Sequence, residues 1–188
     1  GEQEEQLESF SGLGSAFLIA LIVIYALLAI PFKSYTQPLV IMAAIPFGLV
    51  GALFAHLILG ISLGILSLFG VVSLAGVIIN GSLVMIDFFN ENIANGMVED
   101  EAIIDAAKSR FRPIMLTATT TFLGVAPITF ETSRQAQFLI PMAASLGFGV
   151  LIGTALLMLV IPSLAIMHFR ARHKLTSLLK GKDPALAG

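Results

Sequence analysis

Apolar and polar positions are distributed in long blocks along this chain. No Asp, Glu, Lys or Arg occurs from Ser9 to Phe32, from Ser34 to Ile86, from Pro113 to Phe130 or from Gln135 to Met167. A hydrocarbon layer about 30 Å thick takes roughly 20 apolar residues as a helix. The second block is therefore long enough for two spans, and each of the others for one. Gly60, Ile61 and Ser62, just after His56, make the natural break in the second block. The pattern predicts five membrane helices, near 11–32, 38–59, 63–89, 113–131 and 138–168. Lipid offers no hydrogen-bond partner to an open strand edge, and the alternating ten-residue segments of a barrel do not occur. The expected fold class is all-α, a polytopic bundle of five transmembrane helices.

The connection at 91–112 has a different pattern. Val98, Ala102, Ile103, Ala106 and Ala107 recur at helical spacing among polar residues, which predicts a short amphipathic helix on the membrane surface. Its acids, Glu99, Asp100, Glu101 and Asp105, precede its bases, Lys108, Arg110 and Arg112, in the order a helix dipole favours. The basic residues also set an orientation. Lys33, Lys108, Arg110, Arg112, Arg170, Arg172, Lys174, Lys180 and Lys182 fall on one side of the five spans, and only Arg134 falls on the other. The positive-inside rule makes the populated side cytoplasmic. Gly1 is then expected outside, with a basic cytoplasmic tail at 169–188. His168 and His173 flank that tail as solvated groups, and His56 is expected at the outer interface.

Composition narrows the function classes. The chain has 188 residues, 57% hydrophobic and 12% charged, against about 25% charged in an ordinary soluble domain. Its mean hydropathy is +0.96. With no cysteine there is no disulfide, thiolate metal site or cysteine nucleophile. A net charge of -2 argues against a nucleic-acid partner. HExxH and phosphate-binding glycine loops are absent from the sequence, and an enzyme, a cofactor and a metal centre are not expected. The acidic start lacks a signal-peptide pattern and an initiating methionine, so residues 1–10 are expected to be the end of an external region in a longer protein.

Small and polar residues inside the spans supply the candidate site. Gly60 with Gly64 and Gly149 with Gly153 have GxxxG spacing, and Gly76 and Gly124 lie among polar residues; all six are expected at helix contacts. Ser73, Gly76, Asn80 and Asp87 share one face of the third span, while Thr117, Thr120, Thr121 and Gly124 share one side of the fourth. Polar groups are costly against lipid, so these faces are expected to turn inward as a polar seam. The spacing fits both an inert interhelical contact and a functional relay.

Several ordered motifs carry a resemblance. IYALLAIPFKSYTQP at 24–38, IPFGLVG at 45–51, GVIINGSLVMID at 76–87, RPIMLT at 112–117 and QAQFLIP at 135–141 resemble the carboxy-terminal end of resistance-nodulation-division efflux permeases. The resemblance covers nearly the whole chain and implies spans eight to twelve of a twelve-span, proton-driven exporter of hydrophobic compounds in the bacterial inner membrane. It also implies the rest of the permease, a homotrimer, a periplasmic adaptor and an outer-membrane channel as partners. The family's drug exporters join two aspartates of the fourth span to a lysine, a threonine and an arginine. Those last three positions correspond here to Asn80, Thr117 and Arg110, with Asp87 nearby. Asparagine in place of lysine implies a neutral relay partner or a charge supplied elsewhere. A metal-ion or protein-export relative ranks lower, because the seven methionines are scattered. A non-transporting scaffold descended from such a permease is the alternative from another class.

Overall fold

A computed structural model describes residues 1–182. Residues 183–188 of the expected tail lie outside the described residues, as do the side chains of Lys180 and Lys182. Six α-helices and one short 3-10 turn account for most of the rest, with no strand among the described residues: α1 (Glu2–Phe32), α2 (Gln37–Met42), α3 (Ile45–Leu59), α4 (Ile65–Ala94), α5 (Glu99–Thr129) and α6 (Ile140–Lys182). The bundle is all-α, as expected. Four helical segments are long and apolar enough to cross a membrane: α1, α2 with α3, α4 and α6. The predicted fourth span lies in α5 and is less apolar, because Thr117, Thr119, Thr120 and Thr121 interrupt its apolar run.

α1 starts earlier and α6 ends later than the expected spans, and two further differences have identifiable reasons. The second span is two helices, broken at Ala43 and Ala44. Pro46 sits in the first turn of α3 and has no N–H to give the carbonyl of Met42, so the helix ends and restarts there. In contrast, the amphipathic segment is not a separate surface helix. It forms the first turns of α5 and continues through Pro113 without interruption. Proline removes only one intrahelical hydrogen bond, and Ala102, Ile103 and Ala106 are fully buried in the common core, which holds the segment in line. Asn92, at the end of α4, donates to the Ala102 carbonyl at 3.1 Å and to Asp105 at 3.0 Å, tying the turn closed.

α6 is the central element, with α3, α4 and α5 all packed on it. Close approach is made by glycines. A Cβ at Gly51 would stand 3.0 Å from the Ile152 Cβ, and one at Gly153 would stand 2.8 Å from the Gly48 Cα. Gly149 meets the Leu74 side chain in the same interface. Without a hydrophobic drive between helices in lipid, such contacts supply dispersion and weak polar attraction. Gly60 and Gly64 are the correction. Gly60 ends α3 with a positive φ of 65°, Gly64 caps α4, and a Cβ on either meets nothing within 4 Å. GxxxG spacing across a turn aligns no helix face.

The same turn holds a buried network. His56, expected at an interface, is only 4% exposed. Its Nδ1 lies 2.9 Å from the Ala52 carbonyl, which can only accept, so Nδ1 carries the proton. Its Nε2, 2.8 Å from Ser67 Oγ, then accepts from that hydroxyl, and Ser67 Oγ in turn accepts from the Gly64 N–H at 3.2 Å. Ser67→Ala strands a buried acceptor and is expected to cost about 1–3 kcal/mol. A thermal melt of the variant tests this, and an unchanged midpoint would count against the network.

The two ends of the bundle differ in charge. Glu2 and Glu5 of α1 lie beside Ile65 and Phe69 of α4 at one end. At the other, His173 and Arg170 of α6 meet Glu99 and Asp100 of α5 at 2.9 and 3.3 Å. There too Gln37 and Asn90 exchange a pair of amide hydrogen bonds of 2.9 and 3.0 Å, joining α2 to α4. His173 and His168 are therefore not merely solvated: His168 Nε2 lies 3.2 Å from the Thr36 hydroxyl.

Candidate functional site

The helical period of α4 buries Leu74, Ile78, Met85 and Phe89 and leaves Ser73, Gly76, Asn80 and Asp87 exposed on another face. On α5 the same logic buries Ile114 and Ala118 and leaves Thr117, Thr120 and Gly124 exposed. The seam expected to be covered within the chain is thus open along much of its length. A Cβ at Gly76 or Gly124 meets nothing within 4 Å, so neither glycine makes a helix contact in this chain.

Asn80 and Thr117 do come together. They line a cleft of about 80 Å³ between α4, α5 and α6, with Val77, Gly81 and Val84 from α4, Pro113, Ile114 and Ala118 from α5, and Thr154 from α6. A Cβ at Gly81 would lie 3.5 Å from Ile114 and 3.6 Å from Leu157, so a small residue there lets the three helices converge. The Thr117 hydroxyl donates to the Pro113 carbonyl at 3.0 Å, and the Thr120 and Thr121 hydroxyls likewise spend their protons on α5 carbonyls. Their oxygens retain lone pairs. The Asn80 amide has no hydrogen-bond partner among the described residues, leaving two donors and an acceptor toward the open side.

The lining of this cleft contains no ionisable side chain. Alone it can orient water or hydrogen-bond a polar group brought from outside; it cannot take up a proton. Asp87 lies two turns from Asn80, exposed and outside the cleft lining. Arg110 is also outside it. The Arg110 guanidinium carbon sits 4.4 Å from the centre of the Phe88 ring, and its Nε is buried with no partner among the described residues. Two of the four relay candidates therefore meet, and two stand apart. Thr154 is the member sequence reasoning missed. It is 3% exposed, and its only sequence signal is its place beside Gly153.

An open glycine on the polar face makes a specific expectation. Gly76→Val adds bulk where nothing in the chain touches it, so stability should stay within about 0.5 kcal/mol of the parent. If another segment packs on that face in the full-length protein, transport should fall sharply while folding is retained. Parallel melting and transport assays check both halves, and a folding defect in the isolated chain would contradict the open face.

Comparison with known proteins gives concordant results. The profile of the AcrB/AcrD/AcrF family matches residues 1–168. Two crystal structures of a heavy metal efflux pump, in two crystal forms, superpose with TM-scores of 0.79 and 0.78 at 27% identity. They cover 90% and 89% of this chain, and the chain spans 17% of the length of each.

Proposed function

The chain belongs to the AcrB/AcrD/AcrF family of resistance-nodulation-division permeases, and on that premise we propose that it is the carboxy-terminal membrane portion of a proton-driven efflux transporter. The observation that carries this reading is the uncharged cleft at Asn80, Thr117 and Thr154, open on a polar face. A carboxylate from the amino-terminal half of the permease enters there. Ionised, it accepts from the Asn80 amide and from the threonine hydroxyls once these rotate away from their backbone carbonyls. Protonated, it loses its charge in a medium where an ionised aspartate costs about 2.5–3.5 kcal/mol on insertion scales, and it donates to the same oxygens. The two sets of hydrogen bonds favour different helix packings, and their exchange moves the external domain through α1.

The remaining parts of this reading are supported by the resemblance to such permeases and by the one-sided distribution of basic residues. The permease sits in the bacterial inner membrane with Gly1 toward the periplasm and α6 ending in the cytoplasm, as a homotrimer with a periplasmic adaptor and an outer-membrane channel. Hydrophobic compounds are the first cargo class. Metal ions are a second, favoured by the heavy metal efflux pumps among the similar structures. No group of three or more His, Cys, Asp or Glu able to hold a metal occurs among the described residues. Reconstituting the full-length permease in liposomes with an imposed pH gradient tests the proposal. Export of dyes or of divalent cations should stop when a protonophore collapses the gradient. Export that persists would remove proton coupling, and absence of any transport would favour the scaffold alternative.

A further inference from the structure

The basic end of the bundle carries a cleft that the transport reading does not use. α6, at 43 residues, is roughly 65 Å long at 1.5 Å per residue and must project well beyond a hydrocarbon layer about 30 Å thick. Its projecting part has two different faces. Arg170 pairs with Asp100 and His173 hydrogen-bonds Glu99, both on α5. His168, Arg172 and Leu175, spaced by four and three residues, face the α1–α2 connection across a cleft of about 530 Å³. Lys33, Ser34, Tyr35 and Thr36 form the opposite wall. Neither Lys33 nor Arg172 has an acidic partner among the described residues, and no acid lines the cleft.

That connection has a defined shape. Lys33 takes a left-handed conformation, φ 47°, that ends α1 and turns the chain. Ser34 Oγ accepts from the N–H groups of Thr36 and Gln37 at 3.4 and 3.3 Å, and the Tyr25 hydroxyl donates to the Tyr35 carbonyl at 2.8 Å. The Tyr35 ring is 81% exposed at the same level. Beside the cleft, α1 presents Leu27 and Ile30, 62% and 73% exposed, as an uncovered apolar wall. Two unmatched cations, two hydroxyls and an outward tyrosine, set where a membrane helix ends against an apolar wall, fit a phosphodiester carrying acyl chains.

We propose that the cleft between the α1–α2 connection and the end of α6 binds the headgroup of an anionic phospholipid, with Lys33 and Arg172 on its phosphate and its acyl chains along α1. The ligand chemistry is a phosphate ester, which free phosphate shares, and the test separates the two sources. It stands apart from proton coupling, since none of these residues lines the Asn80 cleft.

The full chain, purified in detergent and stripped of lipid, is weighed by native mass spectrometry after addition of phosphatidylglycerol, phosphatidylcholine or inorganic phosphate. Retention of phosphatidylglycerol over phosphatidylcholine by about tenfold is expected, in line with two cations each contributing near a charged surface. Lys33→Gln with Arg172→Gln should reduce that preference at least about fivefold, and Arg170→Gln on the matched face should leave it unchanged. Should the double variant lose its fold, the single pair decides: Arg172→Lys keeps the preference and Arg172→Gln weakens it. No preference in the parent, or one indifferent to Lys33 and Arg172, overturns the site. Displacement of the lipid by equimolar inorganic phosphate overturns the lipid assignment.

Discussion

Gly70→Val is expected to lower the thermal midpoint by roughly 2–12 °C, on an overpacking cost of about 1–3 kcal/mol. Gly70 lies where α4 crosses α6, and its Cβ would strike the Met142 carbonyl and stand 2.7 Å from the Ser145 Cβ. Both obstacles are short and belong to the central helix, so no flexible side chain can swing away. Separating the helices at this crossing would also loosen Leu74 and Ile78, which fill the spaces beside Gly149, Gly153 and Gly48. A melt followed by circular dichroism reads the effect. The contrast with Gly76→Val is the sharper form of the prediction: the same side chain is added to the same helix six residues later, where it meets nothing. Equal effects at the two positions would mean that α4 does not present the faces described.

Much of this architecture was legible in the sequence because the bilayer imposes a long, uniform requirement. Unbroken uncharged blocks fix where helices cross, and a period of 3.6 fixes which side chains share a face. Asn80 and Thr117 were found that way, and the cleft brings them together. The same period puts Asp87 in line with Asn80 but says nothing of depth, and two turns carry it out of the cleft. Spacing also could not separate Gly60 and Gly64 from Gly149 and Gly153. One pair flanks a turn and the other lies on a continuous helix. Gly48, Gly51 and Gly70 were passed over because their contacts depend on what each helix meets, which is set by tertiary packing. The continuity of α5 was hidden for a related reason. Charge and proline at Arg110 to Pro113 look like a boundary, yet burial of Ala102 and Ile103 outweighs the one lost hydrogen bond. Thr154 and the His56 to Ser67 link carry no spacing signal, and only the packed bundle places Thr154 in the cleft and His56 against Ser67.

Thr117→Ala carries the second large effect. In this chain the hydroxyl bonds only to its own helix at Pro113 and is exposed to the open side, so its removal should change stability by no more than about 0.5 kcal/mol. Its value lies in what enters the cleft. A hydrogen bond to a charged group is worth about 1.5–3 kcal/mol, and losing it from the coupled state corresponds to roughly a 10- to 100-fold fall in rate. Asn80→Leu should act in the same direction by removing the amide donors. The deciding measurement is proton-dependent efflux by the full-length permease carrying Thr117→Ala, reconstituted at matched protein level under an imposed pH gradient. A fall of roughly 10- to 100-fold with an unchanged thermal midpoint is the predicted result; undiminished proton-dependent efflux would contradict the assignment of this cleft to coupling.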